Sequence, residues 1–165
     1  MDMNQYMEMF LEESREHLQT LNRCLLNLEN DPSDLTILDE IFRSAHTIKG
    51  MSATMGFTAI AELTHEMENI LDLLRKAELR ATHEIIDILF KGVDTLEQLI
   101  DNISNNNSDI SSVDIKSLIS QIKSLAQKSD ISITNKEENY HELLSATSLQ
   151  LNDTETKVIQ AANNQ

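Results

Sequence analysis

Apolar side chains recur at three- and four-residue steps through most of the first 104 residues, and little interrupts them. The 165 residues include only 3 Gly and 1 Pro, so long helices can run unbroken. The first stripe is Met7, Phe10, Leu11, Leu18, Leu21, Leu25 and Leu28, and it ends at the turn signal Asn30-Asp31-Pro32. A second runs from about Asp34 to Met55 through Leu35, Leu38, Ile41, Phe42, Ala45, Ile48, Ser52 and Met55, with Ser33 expected as its cap and Gly56 as its stop. Thr58 is expected to cap the third, which buries Ile60, Leu63, Met67, Ile70, Leu71 and Leu74 and ends on Arg75 and Lys76. Thr82 is expected to cap the fourth, with Ile85, Leu89, Leu96, Leu99 and Ile103 facing inward and Gly92 filling a tight spot.

Each stripe needs a partner, and short connections make neighbouring helices antiparallel. The expected fold class is all-α: an antiparallel, up-down four-helix bundle over residues 1–104. An additional C-terminal fifth helix follows within 105–127, where Ile115, Leu118, Ile119, Ile122 and Leu125 form a stripe and Ser111 and Asp114 are spaced as a capping box. Residues 128–148 read as a polar linker and 149–165 as a short amphipathic tail.

The formal net charge of −15 argues against binding nucleic acid or an anionic membrane surface, both of which need basic patches. Cys24 is the lone cysteine, so no internal disulfide is expected, and its place among Leu21, Leu25 and Leu28 reads as core. The start MDMNQYMEMF lacks the basic stretch of a signal peptide, and no apolar run approaches a membrane span, so a cytoplasmic location is expected.

The chemistry lies in Phe42-Arg43-Ser44-Ala45-His46-Thr47-Ile48-Lys49-Gly50. His46 falls about 100° round the helix from Ala45, on the flank of the apolar stripe. Lys49 and Gly50 are its i+3 and i+4 neighbours and share its face. A mid-helix glycine costs about 1 kcal/mol against alanine, so Gly50 needs a reason, and clearance for an approaching protein supplies one. Lys49 sets a positive charge where an anionic group would sit. On the third helix His65 and Glu68 are three apart and can face His46. A carboxylate that accepts the imidazole Nδ1–H leaves the Nε2 lone pair free and more nucleophilic. His65 with Glu68 is also a spacing used by di-iron bundles, but the other stripes offer no inward carboxylates. His17, His83 and His141 sit in no comparable cluster, Glu12, Glu13 and Glu16 read as a solvated face, and the seven methionines read as core filler.

These motifs, F-R-S-A-H-T-I-K-G-M-S-A-T-M-G-F followed by T-H-E-M-E-N-I-L-D, resemble the N-terminal histidine phosphotransfer (HPt) domain of the CheA family of chemotaxis histidine kinases. The N-terminal M-D-M-N-Q-Y and E-S-R-E-H-L-Q-T-L-N strengthen the resemblance, which covers roughly residues 1–104. It implies that His46 accepts the ATP γ-phosphoryl group on Nε2, that Glu68 binds Nδ1–H with His65 supporting that network, that Lys49 assists electrostatically and that Gly50 keeps the face open. No cofactor is expected within these residues. ATP with magnesium would be held by a separate kinase domain, so the chain alone is expected not to be catalytic although it looks like part of a protein-histidine kinase. The implied partners are that kinase domain, response regulators resembling CheY and CheB and, indirectly, chemoreceptors and a coupling protein resembling CheW. Two positions depart from the family pattern: Met51 stands where many members have a second glycine, and Ala77 where many end the third helix with glycine. The tail Leu151–Ile159 is similar to the start of the family's regulator-binding domain. A generic phosphorelay HPt intermediate between two response regulators and a non-catalytic helical adaptor remain the alternatives.

Overall fold

The computed structural model describes residues 2–105 and 114–128. Helix α1 spans Met3–Asn30, α2 Leu35–Met55, α3 Thr58–Arg75 and α4 His83–Ser104. A fifth helix, α5, covers 115–128, and there is no strand among the described residues. The chain divides into two units, Met1–Gln127 and Lys128–Gln165. The expected linker and tail from residue 129 onward, and Ser111 with its loop, lie outside the described residues.

Helices α1 to α4 form the antiparallel bundle that the four stripes require. Each packs on its neighbour in sequence, α4 closes on α1, and the α2–α3 interface is the most extensive. Leu21, Leu25, Ile41, Ile48, Leu63, Leu71, Leu89 and Leu96 are almost wholly removed from solvent. Burying one such side chain is worth about 1.5–3 kcal/mol, so the stripes are the main source of stability. The α5 residues Ile115, Leu118, Ile119 and Ile122 join the same core. Lys123 of α5 reaches Glu66 of α3 at 3.7 Å, so the fifth helix lies along the bundle within the first unit. Gly92 marks a close approach of α3 and α4: a Cβ there would stand 2.7 Å from Met67 Sδ.

The helix ends correct three expectations. Ser33 does not cap α2; Asp34 does, its carboxylate accepting from the Thr36 and Ile37 amides at 2.9 and 3.4 Å. The Ser33 hydroxyl instead faces Asp31 at 3.5 Å. Thr58 is the first residue of α3 rather than its cap. Phe57 holds the cap position; its side chain has no polar atom to accept from the helix amides, and its ring packs on Phe10, 5.0 Å away between centroids. Asp114 is itself the cap of α5, accepting from the Ser117 amide at 3.1 Å, rather than the third residue of a box begun by Ser111. Thr82 caps α4 as expected, accepting from the Ile85 amide at 3.3 Å.

Two connections use one device. At the end of α2, Phe57 N–H donates to the Ser52 carbonyl and Gly56 N–H to that of Ala53, with Gly56 left-handed at φ 80°. At the end of α3, Glu78 N–H donates to Leu73 and Ala77 N–H to Leu74, with Ala77 in the glycine position at φ 57°. An L-residue there costs about 1–2 kcal/mol, while glycine loses more chain entropy on folding. The net expectation is that Ala77→Gly stabilises the bundle by about 1 kcal/mol, read as a raised urea midpoint at unchanged m-value.

Candidate functional site

The site lies across the α2–α3 interface. Ala45 and Ile48, fully buried, fix the face of α2 that meets the core. His46 therefore emerges beside the seam with its side chain 62% exposed. From α3, Met67 and Leu71 bury on the core side, and Glu68 is carried to the same seam with only 9% of its side chain exposed.

Glu68 bridges two residues of α2. Its Oε1 is 2.6 Å from His46 Nδ1, and its Oε2 forms a close ion pair with Lys49 Nζ, also at 2.6 Å. Burial pushes the Glu68 carboxyl toward its neutral form. The Lys49 ammonium and the His46 ring outweigh that, through direct contact and through charge, and hold it below the ordinary glutamate value. An ionised carboxylate can only accept, so Nδ1 is the donor. In the neutral ring the lone pair then belongs to Nε2, the nitrogen that Glu68 does not engage. Such a ring is a nucleophile for a partner that reaches it from solvent.

Gly50 is exposed, and a Cβ built on it would meet nothing within 4 Å. Packing within the chain therefore does not demand glycine, which leaves access to the ring as its physical reason. His65 is exposed one turn before Glu68, and no hydrogen bond or ion pair joins it to His46 or Glu68. The residue that completes the carboxylate's coordination is Lys49, for which spacing had suggested only a free positive charge. Two further residues, one on an apolar stripe and one at a helix end, also belong here. Phe42, one turn before His46, lies nearly parallel to its ring with centroids 6.2 Å apart, and Arg75 covers the Phe42 ring. Their signal was present as an i−4 aromatic before His46 and an i+7 cation after Glu68. Among the described residues no three His, Cys, Asp or Glu side chains converge as a metal site, and no helix is long and apolar enough to cross a membrane.

The family model for the Hpt domain matches residues 5–106, and the chain belongs to that family. It is 51% identical over 119 residues to the chemotaxis protein CheA of Bacillus subtilis, a match covering 70% of this chain and 18% of that protein. It is 42% identical over 134 residues to the CheA of Listeria innocua, covering 81% of this chain and 21% of the other. The chain thus spans about a fifth of the length of these relatives. Among solved structures, it is similar to the histidine phosphotransfer domain of CheA in solution, with TM-score 0.69 and 41% identity over 74% of this chain and 92% of that one. The CheA phosphotransferase domain from Thermotoga maritima gives 0.61 and 42% over 63% of this chain and 99% of the other.

Proposed function

We propose that the chain is the phosphotransfer domain of a chemotaxis histidine kinase, with His46 as the residue that carries the phosphoryl group. The observation that carries this reading is the exposed imidazole whose Nδ1 stands 2.6 Å from a nearly buried carboxylate that Lys49 holds ionised. The Nε2 lone pair attacks the γ-phosphorus of ATP bound by a separate kinase domain. The bond from phosphorus to the bridging oxygen breaks, ADP leaves with that electron pair, and N-phosphohistidine remains. Glu68 keeps the Nδ1 proton and stabilises the positive charge that grows on the ring as the new bond forms. In the second transfer an aspartate carboxylate of a response regulator attacks the same phosphorus. The P–N bond breaks, and Nε2 recovers its lone pair.

The open face at Gly50 supports docking of both the kinase domain and the regulators, the latter resembling CheY and CheB. Chemoreceptors and a coupling protein resembling CheW would act on the larger protein, in the cytoplasm. Lys49 acts chiefly through Glu68, and we assign His65 no proton step.

The test is to incubate the chain with a CheA kinase core and magnesium ATP and to map the phosphate by mass spectrometry. One acid-labile phosphate on His46 is expected. Phosphate on any other residue, or none, overturns the assignment. Labelling by a phosphorylated response regulator but not by the kinase core would instead make the chain a generic relay intermediate.

A further inference from the structure

One hydrogen bond fixes only one atom of the His46 ring. With 62% of the side chain exposed, the imidazole could still pivot about the contact from Nδ1 to Glu68 and turn Nε2 away from a partner. A second contact, made on the face of the ring, removes that freedom. Phe42 lies 13° from parallel to the imidazole, with ring centroids 6.2 Å apart, within the range of an offset aromatic pair. Phe42 is itself held. The Arg75 guanidinium carbon sits 3.8 Å from the centroid of the Phe42 ring. Arg75 in turn donates to Asp39 at 3.4 Å and to Asp72 at 3.1 Å, so it is anchored on both helices.

The arrangement follows from helix register. Phe42 precedes Lys49 by seven residues on α2, and Arg75 follows Glu68 by seven on α3. Seven residues make about two turns, so Phe42–Arg75 repeats the cross-helix register of Lys49–Glu68 two turns along. Asp39–Arg75 likewise repeats His46–Glu68, with acid and base exchanged between helices. The same interface that delivers the carboxylate to Nδ1 thus delivers the guanidinium to the aromatic ring beside the imidazole.

We propose that Phe42, backed by Arg75, is a positioning residue that sets the plane of the His46 ring and so the direction of the Nε2 lone pair. The inference rests on His46 being the phosphoryl acceptor. Without Phe42 the ring spreads over the two staggered χ1 wells open to a helical residue and the two broad χ2 orientations. The competent fraction, and the rate with it, then falls about two- to fourfold.

The experiment uses Phe42→Leu, which keeps bulk but cannot stack, and Phe42→Tyr, which keeps the ring, both in the full chain. Two readouts are taken: nitrogen-15 NMR of the His46 ring in unphosphorylated protein, and kcat and KM for phosphorylation by a kinase core. For Phe42→Leu the expected result is about a two- to fourfold lower kcat at unchanged KM, with the His46 ring-nitrogen signals moving toward an averaged tautomer. Phe42→Tyr restores both. Arg75→Gln shifts the signals in the same direction by less, and it carries the test alone if thermal melting shows Phe42→Leu unfolded. Unchanged ring signals in a folded Phe42→Leu chain overturn the proposal, as does a raised KM with kcat intact, which would make Phe42 a docking residue. Because the NMR readout needs no phosphate, a chain that is never labelled but whose signals shift would sink the acceptor assignment and leave the positioning role standing.

Discussion

A His46→Gln chain is expected to fold like the parent and to take up no phosphate from a kinase core. The side chain is 62% exposed, and a glutamine amide can still donate to Glu68 Oε1, so little of the fold is lost. Substitutions at such surface positions stay within about 0.5 kcal/mol, a melting shift of about 2–4 °C or less in a domain of this size. The amide nitrogen, however, has its lone pair delocalised into the carbonyl and cannot attack phosphorus. His65 and His83 are internal controls, since both are exposed and neither holds a carboxylate. If exposure alone made an acceptor, the variant would retain label on one of them. Undiminished incorporation by His46→Gln, measured by acid-labile phosphate per chain, would move the chemistry to another residue.

Glu68→Ala is expected to reduce the phosphorylation rate by roughly 10–100-fold, the range met when the carboxylate behind a metal-binding histidine is removed. The bundle should survive, because Lys49 and His46 are both near enough to solvent to recover hydrogen bonds there. Glu68→Gln should fall between the two, since its amide oxygen can accept from Nδ1 but its neutral group cannot stabilise the developing imidazolium or pair with Lys49. Equal rates for the alanine and glutamine variants would mean that charge, not orientation, is what Glu68 supplies. The carboxyl of Glu68 lies below its ordinary value in the folded chain, held there by Lys49 and His46 against burial. Its contribution to stability is therefore complete above the unfolded glutamate value, and is lost as pH falls through the lowered native one. Acid titration of the folded chain should accordingly show Glu68 protonating below the ordinary glutamate value, and the Glu68→Gln bundle should lose less stability over that acid window.

Much of this was legible in the chain. The stripes gave the helices because each apolar set needed burial, and Gly56 and Thr82 marked ends through backbone chemistry that few other residues supply. The pairing of His46 with Glu68 followed from antiparallel packing of two adjacent helices. The less legible parts depend on competition among neighbours. Ser33 and Asp34 are both capable caps, and only the path of the turn gave the task to the aspartate. Thr58 was a plausible cap until Phe57 was drawn onto Phe10. His65 and Lys49 both lay within reach of Glu68 by spacing, and three-dimensional register chose the lysine. Phe42 was hidden by its apolarity: it is partly buried against the core, as its stripe suggested, while one face of its ring serves the site.

The repeated cross-helix register means that the His46 ring has no aim of its own; it borrows one from how α2 sits against α3. A slip of α2 by one turn, about 5.4 Å, would keep both helices and still carry His46 out of reach of Glu68. Ile48 and Leu71, wholly buried on those two helices, are guardians against that slip. A lesion at either is expected to lower phosphorylation of a chain whose circular dichroism still reads as helical, with the histidine, the acid and the lysine all still in the sequence.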